Sequence, residues 1–244
     1  MILVCAHKNF SAPKFNDYRI IFVGNQHNLQ KNDDFLLDNT GENISHKNDT
    51  FCELTAIYWA WKQNYFDEIA AFCHYRRYFS GQENYGKFKI ISAEEIKQIL
   101  QNHDILLAKP RNYFVFSVEE HYKLAHYGKD FEKLRFVIKK KHPEYLQAFE
   151  KVAKSKKCSL YNMFAMQKTL FNKYCEFIFP VLFDLKKELD ISKYDAYQKR
   201  IFGFLAERLL NVFVEKENLN VCYRKIVTTE KPKLFPRIKK YFCK

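Results

Sequence analysis

Apolar positions fall in two rhythms along the chain. Short continuous runs at Ile2 to Ala6, Arg19 to Gly24, Asp104 to Ala108 and Leu160 to Met166 read as buried strands. Between them lie stretches with helical spacing. Phe51 to Asn64 places Leu54, Ile57, Tyr58 and Trp61 on one face, with Asn48, Asp49 or Thr50 as its cap. The patterns Ser92-x-x-Glu95 and Ser117-x-x-Glu120 are capping boxes that open helices to about Asn102 and His126. Residues 129–157 read as two helices broken at Pro143, residues 168–189 as an amphipathic helix, and Asp195 to Val214 as a long helix. Residues 80–91 read as a loop with a short strand, and Asn220 to Val227 as a last strand. Strands interleaved with helices predict an α/β fold.

One stretch organises the rest. Ile69 to Phe79 begins as an apolar strand and then turns into His74, Arg76 and Arg77 interleaved with Tyr75 and Tyr78. Two adjacent guanidiniums are not buried cheaply without anions to meet them. At the carboxyl end of a buried strand, where α/β proteins bind ligands, such a cluster suits a diphosphate. The bland alternative is an edge strand with a solvated basic end.

Composition narrows the class. The 244 residues form one domain with a full core, and 24 Phe and 16 Tyr against 6 Gly and 6 Pro exclude disorder. A net charge of +13 calls for an anionic partner. The seven cysteines stand singly, as reduced core thiols would, with neither zinc-site nor disulfide spacing. Met1 to His7 is too short for a signal peptide, and no apolar stretch spans a bilayer, so a soluble cytoplasmic protein is expected. There is no G-x-G-x-x-G and no Walker loop.

Several motifs occur together in order: Asp38 to Ser45, Cys52 to Lys62, His74 to Phe79, Glu120 to Tyr122, Tyr161 to Phe164, Tyr194 to Gln198 and Phe202 to Leu209. In this set the chain resembles a bacterial family, domain of unknown function 4422, met in capsular and exopolysaccharide clusters and taken for glycosyltransferases. The resemblance implies a single GT-A-like (Rossmann-like) domain with a central mixed sheet and extra C-terminal helices, here residues 1–230. It also implies a nucleotide-sugar donor, by default UDP-linked, and a glycan or lipid-linked acceptor. The chain departs from the GT-A pattern in one respect: Asp-x-Asp, the usual metal-holding motif, is absent. His74, Arg76 and Arg77 stand at the matching place, so no metal cofactor is expected, because Arg can neutralise a diphosphate bidentately.

By the same mapping, Ala6, His7 and Lys8 border the nucleotide, with Tyr75 in the basic cluster. Asp38, Asn39 and Asn43 bind ribose or base, and Glu53 and Thr55 complete that wall. For Glu53 the plainer role is a partner of the helix dipole. Tyr161, Asn162 and Met163, with His126 and Gln198, line the acceptor side. The base that takes the acceptor's proton is Asp195 first, then Glu120 or His121. Asp195 as a mere helix cap is the competing role, and Glu207 with Arg208 reads as a structural polar pair.

Two other classes compete. A nucleic-acid-binding protein would explain the charge, but the cations are dispersed and no recognisable module is present, so no nucleic-acid partner is expected. A non-catalytic scaffold of polysaccharide assembly is the other. Residues 231–244 mix cations with Leu, Ile, Tyr and Phe and read as a basic amphipathic tail in peripheral contact with anionic membrane.

Overall fold

A computed structural model describes residues 1–24 and 35–230. The predicted membrane-contact tail, residues 231–244, therefore lies outside the described residues.

β1 (Ile2–Ala6) is the centre of the sheet. Its residues alternate between two cores, as the pleat requires: Leu3 and Cys5 face one, and Ile2, Val4 and Ala6 face the other. With both faces covered, all five residues are buried, which is why the run reads as continuous rather than alternating. On one side β1 pairs in parallel with β2 (Tyr18–Phe22), which pairs with β3 (Leu36–Leu37).

Next come the short helix α1 (Asn48–Phe51) and α2 (Leu54–Lys62). The sequence predicts one helix here. The chain breaks it at Cys52, whose φ is +54°, so that α2 begins only at Leu54.

The chain then returns to the other side of β1 as β4 (Ile69–His74), also parallel to it. Strands therefore depart from β1 in opposite directions, the topology that opens a crevice at the carboxyl ends of an α/β sheet.

The expected single run from Ile69 to Phe79 is in fact a tight hairpin. Tyr75 and Arg76 form its turn, and β5 (Arg77–Tyr85) comes back antiparallel with His74 opposite Arg77. Two cations and a histidine are thereby held at one corner. The expected loop at residues 80–91 is the rest of β5 and its partner β6 (Phe88–Ile90).

Both capping boxes form as predicted, opening α3 (Ala93–Ile99) and α4 (Val118–Ala125). Between these helices lie β7 (Ile105–Ala108) and β8 (Arg111–Asn112). α5 (Gly128–Lys141) and α6 (Leu146–Lys154) are separated at Pro143 as expected. β9 (Lys157–Cys158) pairs with β8.

β10 (Phe164–Gln167) is shorter than the sequence suggests, because Tyr161 and Asn162 both hold positive φ, +83° and +49°. It runs antiparallel between β4 and β7, making the sheet mixed. α7 (Lys168–Glu188) follows. The predicted helix from Asp195 starts as a 3-10 turn, Gln198–Arg200, and becomes α8 (Ile201–Lys216) only afterwards. The last predicted strand is two: β11 (Val221–Arg224), parallel to β7, and β12 (Ile226–Thr228), on β5.

Helices α2, α5, α6, α7 and α8 contribute to the core on the Leu3 face, while α3 and the β5–β6 hairpin contribute to the other. Among the described residues no helix is long and apolar enough to cross a membrane.

Candidate active site

The crevice between the ends of β1 and β4 is lined with cations. His74 closes β4, and its Nε2 is buried without a hydrogen-bond partner among the described residues. Burial, followed by the charges of Arg77, Arg76 and Arg200, pushes its pKa down to about 3, with a backbone group of Tyr161 acting the other way. His7, just past β1, is also lowered, first by burial and then by Arg76, Lys8 and Arg200. Two histidines from different strands thus feel the same guanidiniums.

Arg77 stacks on the Tyr161 ring at 4.6 Å. Arg76 lies 5.5 Å from the ring of Tyr75, and its carbonyl accepts from the Thr229 amide at 3.0 Å. Arg200 donates from Nε to the Cys52 sulfur at 3.3 Å. Among the described residues, no carboxylate forms an ion pair with any of these three arginines. Lys8 does have one, with Glu230 at 2.9 Å. Three guanidiniums gathered without a direct carboxylate ion pair among the described residues make a site suited to an anion bearing several oxygens.

Behind the cations stand two carboxylates. Glu53 accepts from the Asn162 amide at 2.7 Å and lies within electrostatic reach of Arg77 and Arg200. It makes no side-chain cap to α2. Glu207 accepts from the Tyr161 backbone N–H at 2.8 Å and pairs with Arg208 at 2.7 Å. Burial raises its carboxyl pKa, partly countered by Arg208. The pair has the structural contact expected of it and also fixes the turn that carries Tyr161.

The wall beside β2 centres on Asp38, which is 1% exposed. It accepts from Ser45 Oγ at 2.5 Å and from the Gly24 amide at 3.1 Å. Burial raises its pKa against these bonds. Asn39 is exposed, and Asn43 closes a turn by donating to the Gly41 carbonyl at 2.8 Å. Asn48 and Thr55 bond each other at 3.1 Å beneath. Thr55 is fully buried, so it supports this wall rather than facing a ligand.

Other predicted residues divide between surface and core. Ala6 is buried and engages through its carbonyl, which accepts from Val23. Tyr75 is largely buried and offers its ring to Lys8 and Arg76. Met163 corrects the sequence expectation: it is wholly buried in the second core and presents no surface to an acceptor. His126 and Gln198 do meet, at 3.0 Å, with Phe204 stacked on the imidazole at 4.2 Å.

The expected bases have local duties. Asp195 Oδ1 accepts from the Gln198 amide at 2.8 Å and caps the turn that carries Arg200. Glu120 completes the capping box of α4 from a fully exposed position. His121 stacks on Tyr113 at 3.9 Å. No hydrogen bond or ion pair joins Asp195 or Glu120 to the arginines among the described residues.

Arg200 is the residue that sequence reading missed. In the sequence it falls inside the long helix expected from Asp195 to Val214, with no motif of its own to set it apart. The signal that could have marked it is its place between the Asp195 cap and the first buried turn of α8.

The family model for domain of unknown function DUF4422 matches residues 1–218. The chain belongs to the DUF4422 family. No curated protein matches. Among solved structures, this DUF4422 chain is similar to the apo form of WbbM, described as a bifunctional glycosyltransferase, with 27% identity and a TM-score of 0.83. The match covers 94% of this chain and 45% of that one, so the chain spans less than half the length of WbbM. Among the described DUF4422 residues, no three His, Cys, Asp or Glu side chains are grouped to hold a metal ion.

Proposed function

We propose that the protein is a glycosyltransferase that moves a sugar from a nucleoside-diphosphate sugar, by default UDP-linked, to a glycan or lipid-linked acceptor. The pathway would be capsule, exopolysaccharide or lipooligosaccharide synthesis. The observation that carries this reading is the group of Arg76, Arg77 and Arg200 around His74, with no direct carboxylate ion pair among the described residues, beside the carboxyl ends of β1 and β4. Similarity to a glycosyltransferase over 94% of the chain supports it.

In this mechanism the three guanidiniums take the charge that develops on the leaving diphosphate, the role a metal fills where Asp-x-Asp is present. Neutral His74 and His7 donate or accept hydrogen bonds at its edge. Asn39 and Asn43 hold the nucleoside on the wall that buried Asp38 fixes, while His126, Gln198 and Tyr161 face the acceptor and buried Asn162 holds Glu53 in place. Glu53 takes the acceptor hydroxyl's proton. One of its oxygens is held by Asn162, and it makes no other side-chain hydrogen bond among the described residues, whereas Asp195 and Glu120 act in caps.

Thermal stabilisation against a panel of nucleotides and nucleotide sugars, each with EDTA and with Mn²⁺, tests the reading. A ligand at one hundred times its dissociation constant adds about 2.7 kcal/mol to apparent stability. A shift with UDP or a UDP-sugar that survives EDTA is expected. The absence of a shift with every nucleotide would favour a non-catalytic scaffold.

A further inference from the structure

Two large apolar side chains stand out from the rest of the described surface. Phe114 is 75% exposed and Val115 74%, with Phe116 beside them at 43%. They form the tip of the loop between β8 and α4, and the base of that loop is firmly held. β8 pairs with β9, the Tyr113 amide donates to the Lys156 carbonyl at 2.9 Å, and the Val118 amide donates to the Ser155 carbonyl at 2.8 Å. Tyr113, Val118 and Cys158 close a small core of their own beneath it.

The tip itself is shaped by an Asn112 side chain that accepts from the Phe114 amide at 2.9 Å. Phe114 sits at φ +56°, an uncommon conformation for an aromatic residue. A rigid base thus presents adjacent apolar residues to the outside, where water gives them no stabilisation.

The surroundings are cationic. Lys109, Arg111, Lys154, Lys156 and Lys157 are all exposed near the base of this loop. A cleft of about 900 Å³ beside it is lined by Lys109, Lys151, Lys157, Arg224 and Lys225. Its one lining carboxylate, Glu215, is paired with Lys151 at 2.5 Å. Glu120, the nearby exposed acid, is engaged in its capping box.

We infer that the Phe114-Val115-Phe116 tip inserts into the interface of an anionic bilayer while the surrounding lysines and arginine meet lipid phosphates. An apolar wedge ringed by cations is the chemistry that such an interface rewards, and each half reinforces the other. β7 and β4 are both antiparallel to β10, so Lys109, after β7, and Arg224, ending β11, lie on the same edge of the sheet as the arginine crevice. Docking here would turn that edge toward the lipid. The inference stands apart from the proposed transferase activity and from the tail at residues 231–244.

The test uses the full chain with phosphatidylcholine vesicles, with and without phosphatidylglycerol. Binding is expected only with the anionic lipid and should weaken as salt is raised. A Phe114→Trp variant should shift its emission to the blue on binding and be quenched by lipids brominated in the acyl chain. Phe114→Ser with Val115→Ser should lower partitioning about tenfold or more, since each buried side chain is worth roughly that factor, with circular dichroism and melting temperature unchanged.

Wild-type binding by the double variant would overturn the inference and leave the tail as the anchor. Unshifted Trp emission on bound vesicles, or no vesicle binding at all, would overturn it as well. A wild-type dimer that the double variant converts to monomer would assign the tip to a second copy of the chain instead.

Discussion

The side-chain amide of Asn162 donates to Glu53 Oε1 at 2.7 Å and also to the Gly203 carbonyl at 3.0 Å. This one group joins the start of α2, the turn before β10 and the first turn of α8. Asn162 is 1% exposed and holds φ +49°, a conformation that Asn tolerates better than most residues. Replacing it with Ala should cost about 1–3 kcal/mol, because two buried acceptors lose their donor. Asn162→Asp should be worse, setting a carboxylate against both. Urea unfolding measures this, and wild-type stability in the Ala variant would refute the tie.

If Glu53 takes the acceptor proton, Glu53→Gln should lower the transfer rate by about 100-fold or more while donor binding changes little. Asp195→Asn should keep most of its rate, since an amide oxygen still accepts from the Gln198 amide. The reverse ranking in single-turnover assays would move the base to Asp195.

Arg76, Arg77 and Arg200 gather around His74 with no direct carboxylate ion pair among the described residues, so each Ala variant should weaken UDP binding by roughly 10- to 100-fold, the worth of a charge-assisted hydrogen bond. Lys in their place should recover only part, having no planar fork. Titration calorimetry with EDTA present reads both effects. Turnover abolished by EDTA and restored by Mn²⁺ would contradict the assignment of the diphosphate to these side chains alone.

His74 titrates near 3 when folded, against about 6.5 in an unfolded chain. Between those values the unfolded state binds a proton that the folded state refuses, so stability falls as the solution is acidified through that window. His74→Asn should flatten this acid limb, as followed by chemical denaturation at several pH values.

Gly203 permits a close approach. A Cβ added there would lie 3.2 Å from the sulfur of Cys52, the atom that accepts from Arg200. Gly203→Ala should therefore displace Arg200 and weaken donor binding by severalfold. Titration calorimetry reads the change, and wild-type donor affinity in Gly203→Ala would show that the Cys52 side chain yields without moving Arg200.

Features set by near neighbours were legible in the chain itself. β1, both capping boxes, the break at Pro143 and α7 depend on residues within a turn or a strand length, and their side chains announce them. The cations at residues 74–77 were legible as a cluster, because they stand together in the chain, and the tertiary structure adds the hairpin that brings His74 opposite Arg77. The mixed sheet follows the expected fold class.

Tertiary structure decided the rest. Cys52 and Tyr161 adopt positive φ although neither is a residue type that favours it, so nothing in their spelling foretold the broken helix or the shortened strand. Met163 looked like its neighbours, yet the pleat directed it into the core. Arg200 joined Arg76 and Arg77 only because Asp195 caps a 3-10 turn that α8 then pins against Cys52. Local propensity acts over a few residues, whereas this site is assembled from contacts between segments far apart in the chain. Its geometry is therefore a property of the packing and not of any one motif.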